Sequence, residues 1–203
     1  SANFKLPSAF FPRFITQQNQ YLLGNGVSFA EKNDTIKKKL GKDFDVRLQE
    51  CGRAALLHKV AFGFWNYDHL EVFKFTEFAP LFDEDTGALR AGVRFWHLAD
   101  NKPLRFTIYE VDGYQEYSRS GDEDIKALSD KKPYITTARG DKRDKEENTQ
   151  IMDGENYPNF PVVPLWGNPQ RQSELIGIRE AIDCYDLIKS GFANDLDEAS
   201  SFY

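Results

Sequence analysis

A chain of 203 residues, 40% hydrophobic, is long enough to bury a sizeable core in one domain with an appendage or in two small domains. Seventeen Phe and nine Tyr against a single Met favour an aromatic-filled β layer and argue against an all-helical bundle. The formal net charge of -6 argues against a surface built to grip nucleic acid, and no apolar run approaches the roughly 20 residues that cross a bilayer.

From Phe4 the chain reads as an extended entry and then a helix. Ser8 is placed to cap it, Pro12 suits the first turn, and Phe11, Ile15, Gln18 and Leu22 recur at helical spacing until Gly24 and Gly26 stop it. Gly26-Val27-Ser28-Phe29 reads as a short strand. Asn33 or Asp34 then caps a short basic helix ended by Gly41. A stronger helix follows, with Phe44, Leu48, Cys51, Ala55, His58 and Phe62 on one stripe. Gly52 interrupts it at a cost of up to about 1 kcal/mol relative to Ala, which suggests close packing there.

From Val60 the period becomes two. Aromatic-rich segments at 61–67, 70–75, 88–98, 104–111 and 114–117 are separated by short turn signals, a spacing that favours an antiparallel meander. Residues 118–152 are charged and poor in large apolar groups, the composition of a solvated or flexible excursion. Order returns at Phe160-Pro161-Val162-Val163-Pro164-Leu165-Trp166, where the prolines predict an edge strand or extended rail.

Ser173 is placed to cap a last helix whose stripe runs through Leu175, Ile178, Ile182, Tyr185, Ile188, Phe192 and Leu196. As one helix to Ser200 it would be about 40 Å long, with Ser190-Gly191 a possible bend. So little chain follows it that its apolar side is expected to be covered by something other than its own polypeptide. The expected fold is α+β: an antiparallel aromatic-rich meander flanked by helices over 1–166, then a long C-terminal helix within 167–203.

The search for chemistry is largely negative. His58, His69 and His97 lie in no metal-ligating spacing, and neither Cys51 nor Cys184 sits near a histidine. The cysteines, far apart and outside any CxxC pair, read as free thiols of a reducing compartment, with a lone disulfide as the alternative. The acid pairs Asp83/Asp85, Asp122/Asp124 and Asp195/Asp197 fail the calcium-loop pattern. Lys37-Lys38-Lys39 reads as a solvated helix face, and Lys142-Arg143 is flanked by acids. No catalytic residue, metal or cofactor is expected, and the chain reads as structural, not enzymatic.

Four segments in order carry a resemblance. They are the Tyr21-Leu22-Leu23-Gly24-Asn25-Gly26-Val27 helix end; the alanine-containing helix that leads through Gly63 into an aromatic strand; Phe78-Ala79-Pro80-Leu81-Phe82-Asp83; and the 160–196 run with Ile182-Asp183-Cys184-Tyr185-Asp186 and Ser190-Gly191-Phe192-Ala193-Asn194-Asp195-Leu196. Together they resemble the portal proteins of tailed bacteriophages, in the subgroup common among siphophages and prophages of Gram-positive hosts. The last segment is the specific one, and 118–152 carries no match.

The resemblance implies a wing region and the start of a stem, with a clip, second stem helix, tunnel loop and crown expected beyond. It also implies a homo-oligomeric ring, usually of twelve subunits, at one capsid vertex of the virion, assembled in the host cytoplasm. Such a ring passes double-stranded DNA without reading its sequence and docks terminase, capsid or scaffold proteins and head-completion proteins. No membrane is involved. On that reading Ile178, Ile182, Tyr185, Ile188, Phe192 and Leu196 would contact neighbouring subunits, and Asp183, Asp186, Asp195 and Asp197 would face the channel. The isolated chain is expected to associate weakly at most.

Two other readings are open. One is a β-rich module that binds protein or glycan through Trp65, Trp96 and Trp166. The other is a small hydrolase using His58 or His97.

Overall fold

The change from helical to strand periodicity near Val60 is the step that organises the fold. In the computed structural model, which describes residues 4–30, 34–137 and 153–200, that step is Lys59, whose φ of 78° ends one element and starts the next. Before it lie helices α1 (Phe10–Leu23), α2 (Asp34–Leu40) and α3 (Phe44–His58). Phe62, expected on the α3 stripe, therefore belongs to the following strand.

Helix α1 crosses α3 at Gly52. A Cβ there would lie 2.6 Å from both Asn19 Oδ1 and Leu23 Cδ1, so only glycine lets the backbones approach. The seam is stitched by polar groups: Asn19 Nδ2 donates to Gln49 O at 2.9 Å, and Gln49 Nε2 donates to Leu23 O at 3.2 Å. The buried residues of α1 are accordingly Ile15 and Asn19, while Leu22 is exposed, which corrects the wider stripe expected from spacing. Ser8 does not cap α1; Ala9 occupies that position without a side-chain bond. The segment 26–29 is irregular, not a strand, because the Val27 N–H donates to Asp45 Oδ1 instead of a ladder. Lys37 donates to Val27 O, so one residue of the basic run is engaged locally. The proposed cap Asn33 lies outside the described residues.

After Lys59 come β1 (Val60–Asn66), β2 (His69–Lys74), β3 (Phe78–Phe82), β4 (Leu89–His97), β5 (Leu104–Glu110), β6 (Gly113–Arg119), β7 (Lys126–Ala127), β8 (Ile135–Thr137), β9 (Asp153–Glu155) and β10 (Val162–Trp166). They form antiparallel sheets of order β10-β1-β2 and β3-β4-β5-β6-β7, plus the pair β8-β9. The prolines do place β10 at an edge, opposite Val60 to Phe64. Pro80 likewise sits in an edge strand, β3, which periodicity missed because proline interrupts the pattern.

Strand β1 divides its residues between two layers. Ala61 meets Cys51, Ala54 and Ala55 of α3, small side chains that bring helix and sheet close. Val60, Phe62 and Phe64 face the other way, into a cluster with Phe73, Phe78, Tyr109, Tyr134 and Val162. The rings mesh at short range: Phe62–Phe78 centroids are 4.7 Å apart and Phe64–Tyr109 5.1 Å. Phe78 lies across Gly92 of β4, where a Cβ would be 2.1 Å from the ring. Burial pushes the Tyr109 hydroxyl up to about 12 and the Cys51 thiol likewise to about 12. Cys51 and Cys184 are both free thiols, the first buried and the second exposed.

The first part of the excursion is ordered, against its composition. Residues 118–137 fold against the sheet: β7 pairs with β6, and Tyr114 and Lys132 exchange backbone bonds at 2.9 and 2.8 Å. Tyr134 is buried, and its hydroxyl donates to Glu110 O at 2.6 Å with Gly113 O sharing the proton at 3.1 Å, closing the β5–β6 turn. One aromatic anchor with two carbonyl partners outweighs the polar residues around it. The remainder, 138–152, lies outside the described residues, Lys142-Arg143 included.

Candidate assembly surface

The route into the last helix is fixed by the open end of α3. The final carbonyls of a helix lack partners within it, and here the returning chain supplies them. Gly167 N–H donates to Lys59 O at 2.9 Å, Glu174 N–H to Leu56 O at 3.1 Å, and Ser173 Oγ to Leu57 O at 2.7 Å. Ser173 thus donates to α3, while its Oγ accepts the Leu175 N–H at 3.2 Å and caps the turn that follows, not α4 itself. Residues 174–178 form turns, with Gly177 at φ 88°, and helix α4 runs Arg179–Ser200. The helix starts five residues later than a cap at Ser173 implied and is about 33 Å long. Leu175 lies ahead of it, and Ile178 leads it in, its carbonyl accepting from Ile182 N–H at 3.1 Å. The helix is continuous through Ser190 and Gly191.

No residue of α4 is buried. Ile188 is 66% exposed, Phe192 65% and Leu196 56%, with Tyr185 and Leu187 also exposed. At about 100° per residue, Ile182, Tyr185, Ile188, Phe192 and Leu196 form one stripe. Leu187 falls off that stripe, and spacing gave no signal for it. Tyr185 has one aromatic neighbour, the edge of Phe10 at 5.0 Å.

The four acids do not share a face. By the same rotation Asp183, Asp186 and Asp197 lie within about 60° of one another, opposite much of the stripe, whereas Asp195 is at least about 120° away. Asp183 sits 3.6 Å from Arg179 in an exposed pair worth little to stability. Asp186 is turned onto its own chain: its Oδ1 accepts the Ser8 N–H at 2.9 Å.

The other candidates are dispersed. Trp65 packs by Phe44, Trp166 stacks on Phe82 beneath the Arg171 guanidinium, and Trp96 has Arg94 at 5.7 Å. Among the described ring contacts none joins two of the three indoles. His58 is half-buried at the end of α3, and His97 is exposed at the end of β4. His69 opens β2, and its hydrogen bond to Asp68 raises its pKa. Asp83 builds a turn, accepting from Thr86 N–H and Oγ1 at 2.8 and 2.7 Å. No group of three or more metal-ligating side chains occurs among the described residues. Among them, too, no helix is long and apolar enough to cross a membrane.

No curated protein matches the chain. A family model described as phage portal protein, SPP1 Gp6-like, matches residues 1–203. With the match spanning the whole sequence, the chain belongs to the SPP1 Gp6-like phage portal proteins, a family of structural bacteriophage proteins that serve DNA packaging.

Proposed function

We propose that this protein associates with copies of itself into a closed ring, twelve subunits in number. The ring stands at one capsid vertex of the virion and forms the channel for DNA packaging and ejection. Terminase, capsid or scaffold proteins and head-completion proteins dock on it, and assembly takes place in the host cytoplasm. In this reading 1–166 is the wing and 167–203 the start of the stem.

The observation that carries the proposal is the bare apolar stripe of α4. Ile182, Tyr185, Ile188, Phe192 and Leu196 stand at helical spacing on a helix with no buried residue, and the last three are each more than half exposed. Each such side chain yields roughly 1.5–3 kcal/mol when fully removed from water, and a second copy supplies the cover. Ile178 extends the same contact at the helix start. Asp183 and Asp197 line the opposite side, where negative charge keeps passing phosphates from sticking; Asp186 stands on that side with its carboxylate held by the Ser8 N–H, and Asp195 belongs at the border of the subunit contact.

Negative-stain microscopy of the purified portal protein that carries this chain is the test. Closed rings with a central hole are expected. Monomers at every concentration would sink the ring.

A further inference from the structure

The segment Phe4-Lys5-Leu6-Pro7-Ser8 lies antiparallel along α4 and donates three backbone hydrogen bonds to it. Ser8 N–H reaches Asp186 Oδ1 at 2.9 Å, Leu6 N–H reaches Ser190 Oγ at 3.0 Å, and Phe4 N–H reaches Asn194 Oδ1 at 2.8 Å. Three acceptors four residues apart on a helix thus meet three donors two residues apart on an extended chain. The spacings agree for a physical reason. Four helical residues advance about 6.0 Å and two extended residues about 6.6–6.8 Å, so three rungs fit before the mismatch exceeds roughly 1.6 Å.

We infer that Asp186, Ser190 and Asn194 form a binding site for an extended backbone, occupied by residues 4–8 of this chain, and that this hold fixes the direction in which α4 leaves the body. The site reads register as well as shape. Lys5 and Pro7 fall between the rungs, and Pro7, which has no N–H, is tolerated only there. A slip of one residue either way sets Pro7 opposite an acceptor and leaves a rung unmade, so the sequence locks the strap in place. Packing alone would hold α4 loosely, since none of its residues is buried. The chain also enters it through Gly177, whose surroundings are open and whose φ is 88°. The strap closes that hinge.

Two readouts on the 203-residue chain test the inference. In amide hydrogen exchange, Phe4, Leu6 and Ser8 are expected to exchange roughly tenfold more slowly than Lys5. For orientation, a spin label on the exposed Cys184 is paired with one at Glu84→Cys in the β3–β4 turn; the buried Cys51 stays unlabelled. The distance distribution is expected to be narrow. Leu6→Pro and Ser190→Ala should each broaden it and speed exchange at Phe4 and Ser8 by a similar factor, whereas Lys5→Pro should leave both readouts unchanged. Equal exchange at all four amides would overturn the inference. So would a distance distribution indifferent to both Leu6→Pro and Ser190→Ala. Protection lost on dilution would mean that a second copy supplies the strap, and would overturn the assignment to the chain's own residues.

Discussion

Phe73→Ala is expected to lower the unfolding free energy by about 3–5 kcal/mol, a large part of the roughly 5–15 kcal/mol that a domain has in total. Phe73 is fully buried, and the rings of Phe64, Phe78 and Tyr109 each lie 5.4 Å from it. The Arg94 guanidinium sits 4.5 Å over its face. Removing the ring opens a cavity between the two main sheets and takes away the nearer of that cation's two ring contacts, leaving Trp96 at 5.7 Å. The rigid β frame around it leaves little room for collapse, so the cost falls at the upper end for such changes. Phe75→Ala is the control, since Phe75 is 39% exposed and should cost under about 1 kcal/mol. Denaturant unfolding followed by Trp fluorescence measures both. Similar midpoints for the two variants would contradict the placement of the core.

Ile188→Glu and Phe192→Glu are expected to do the reverse: leave the fold intact and abolish assembly. In the single chain both positions are about two-thirds open to water, 66% and 65% exposed, so each change should alter unfolding free energy by no more than about 0.5 kcal/mol. In a ring each position is covered by a neighbour. The substitution then removes apolar burial and adds the cost of desolvating a carboxylate. Every subunit of a closed ring repeats the loss, so the penalty multiplies around it. Light scattering of the portal protein should shift from an assembled mass to that of single subunits, with unfolding midpoints unchanged. Assembly at the parent level by both variants would contradict the role given to the stripe.

The features legible in the sequence were those with a local cause. The aromatic meander was readable because β1 and its neighbours alternate at period two, and the β5–β6 turn because Asp112-Gly113 marks it. Gly52 announced a close helix crossing by its cost, and Pro161 and Pro164 announced an edge. What escaped had causes distant in sequence. Tyr134 sits in a stretch of charge, and its burial is explained by distant partners, the rings of Phe64 and Tyr114 and the carbonyls of Glu110 and Gly113. Ser173 looked only like a cap because the carbonyl it serves, on Leu57, is 116 residues away. Ser8 reads as a cap and Asp186 as a channel-facing acid, and spacing gives no sign that the two are hydrogen-bonded across 178 residues. The apolar side of α4 was visible from spacing alone; which acids share its opposite side was not, because that depends on where the helix starts and what lies along it.

The central claim is that the apolar side of α4 is covered by sister copies, and photocrosslinking tests it most directly. With a benzoylphenylalanine placed at position 192 of the assembled portal protein, irradiation is predicted to give covalent dimers and higher ladders on a denaturing gel. Crosslinks confined to the same chain would contradict the account, as would none at all in fully assembled material.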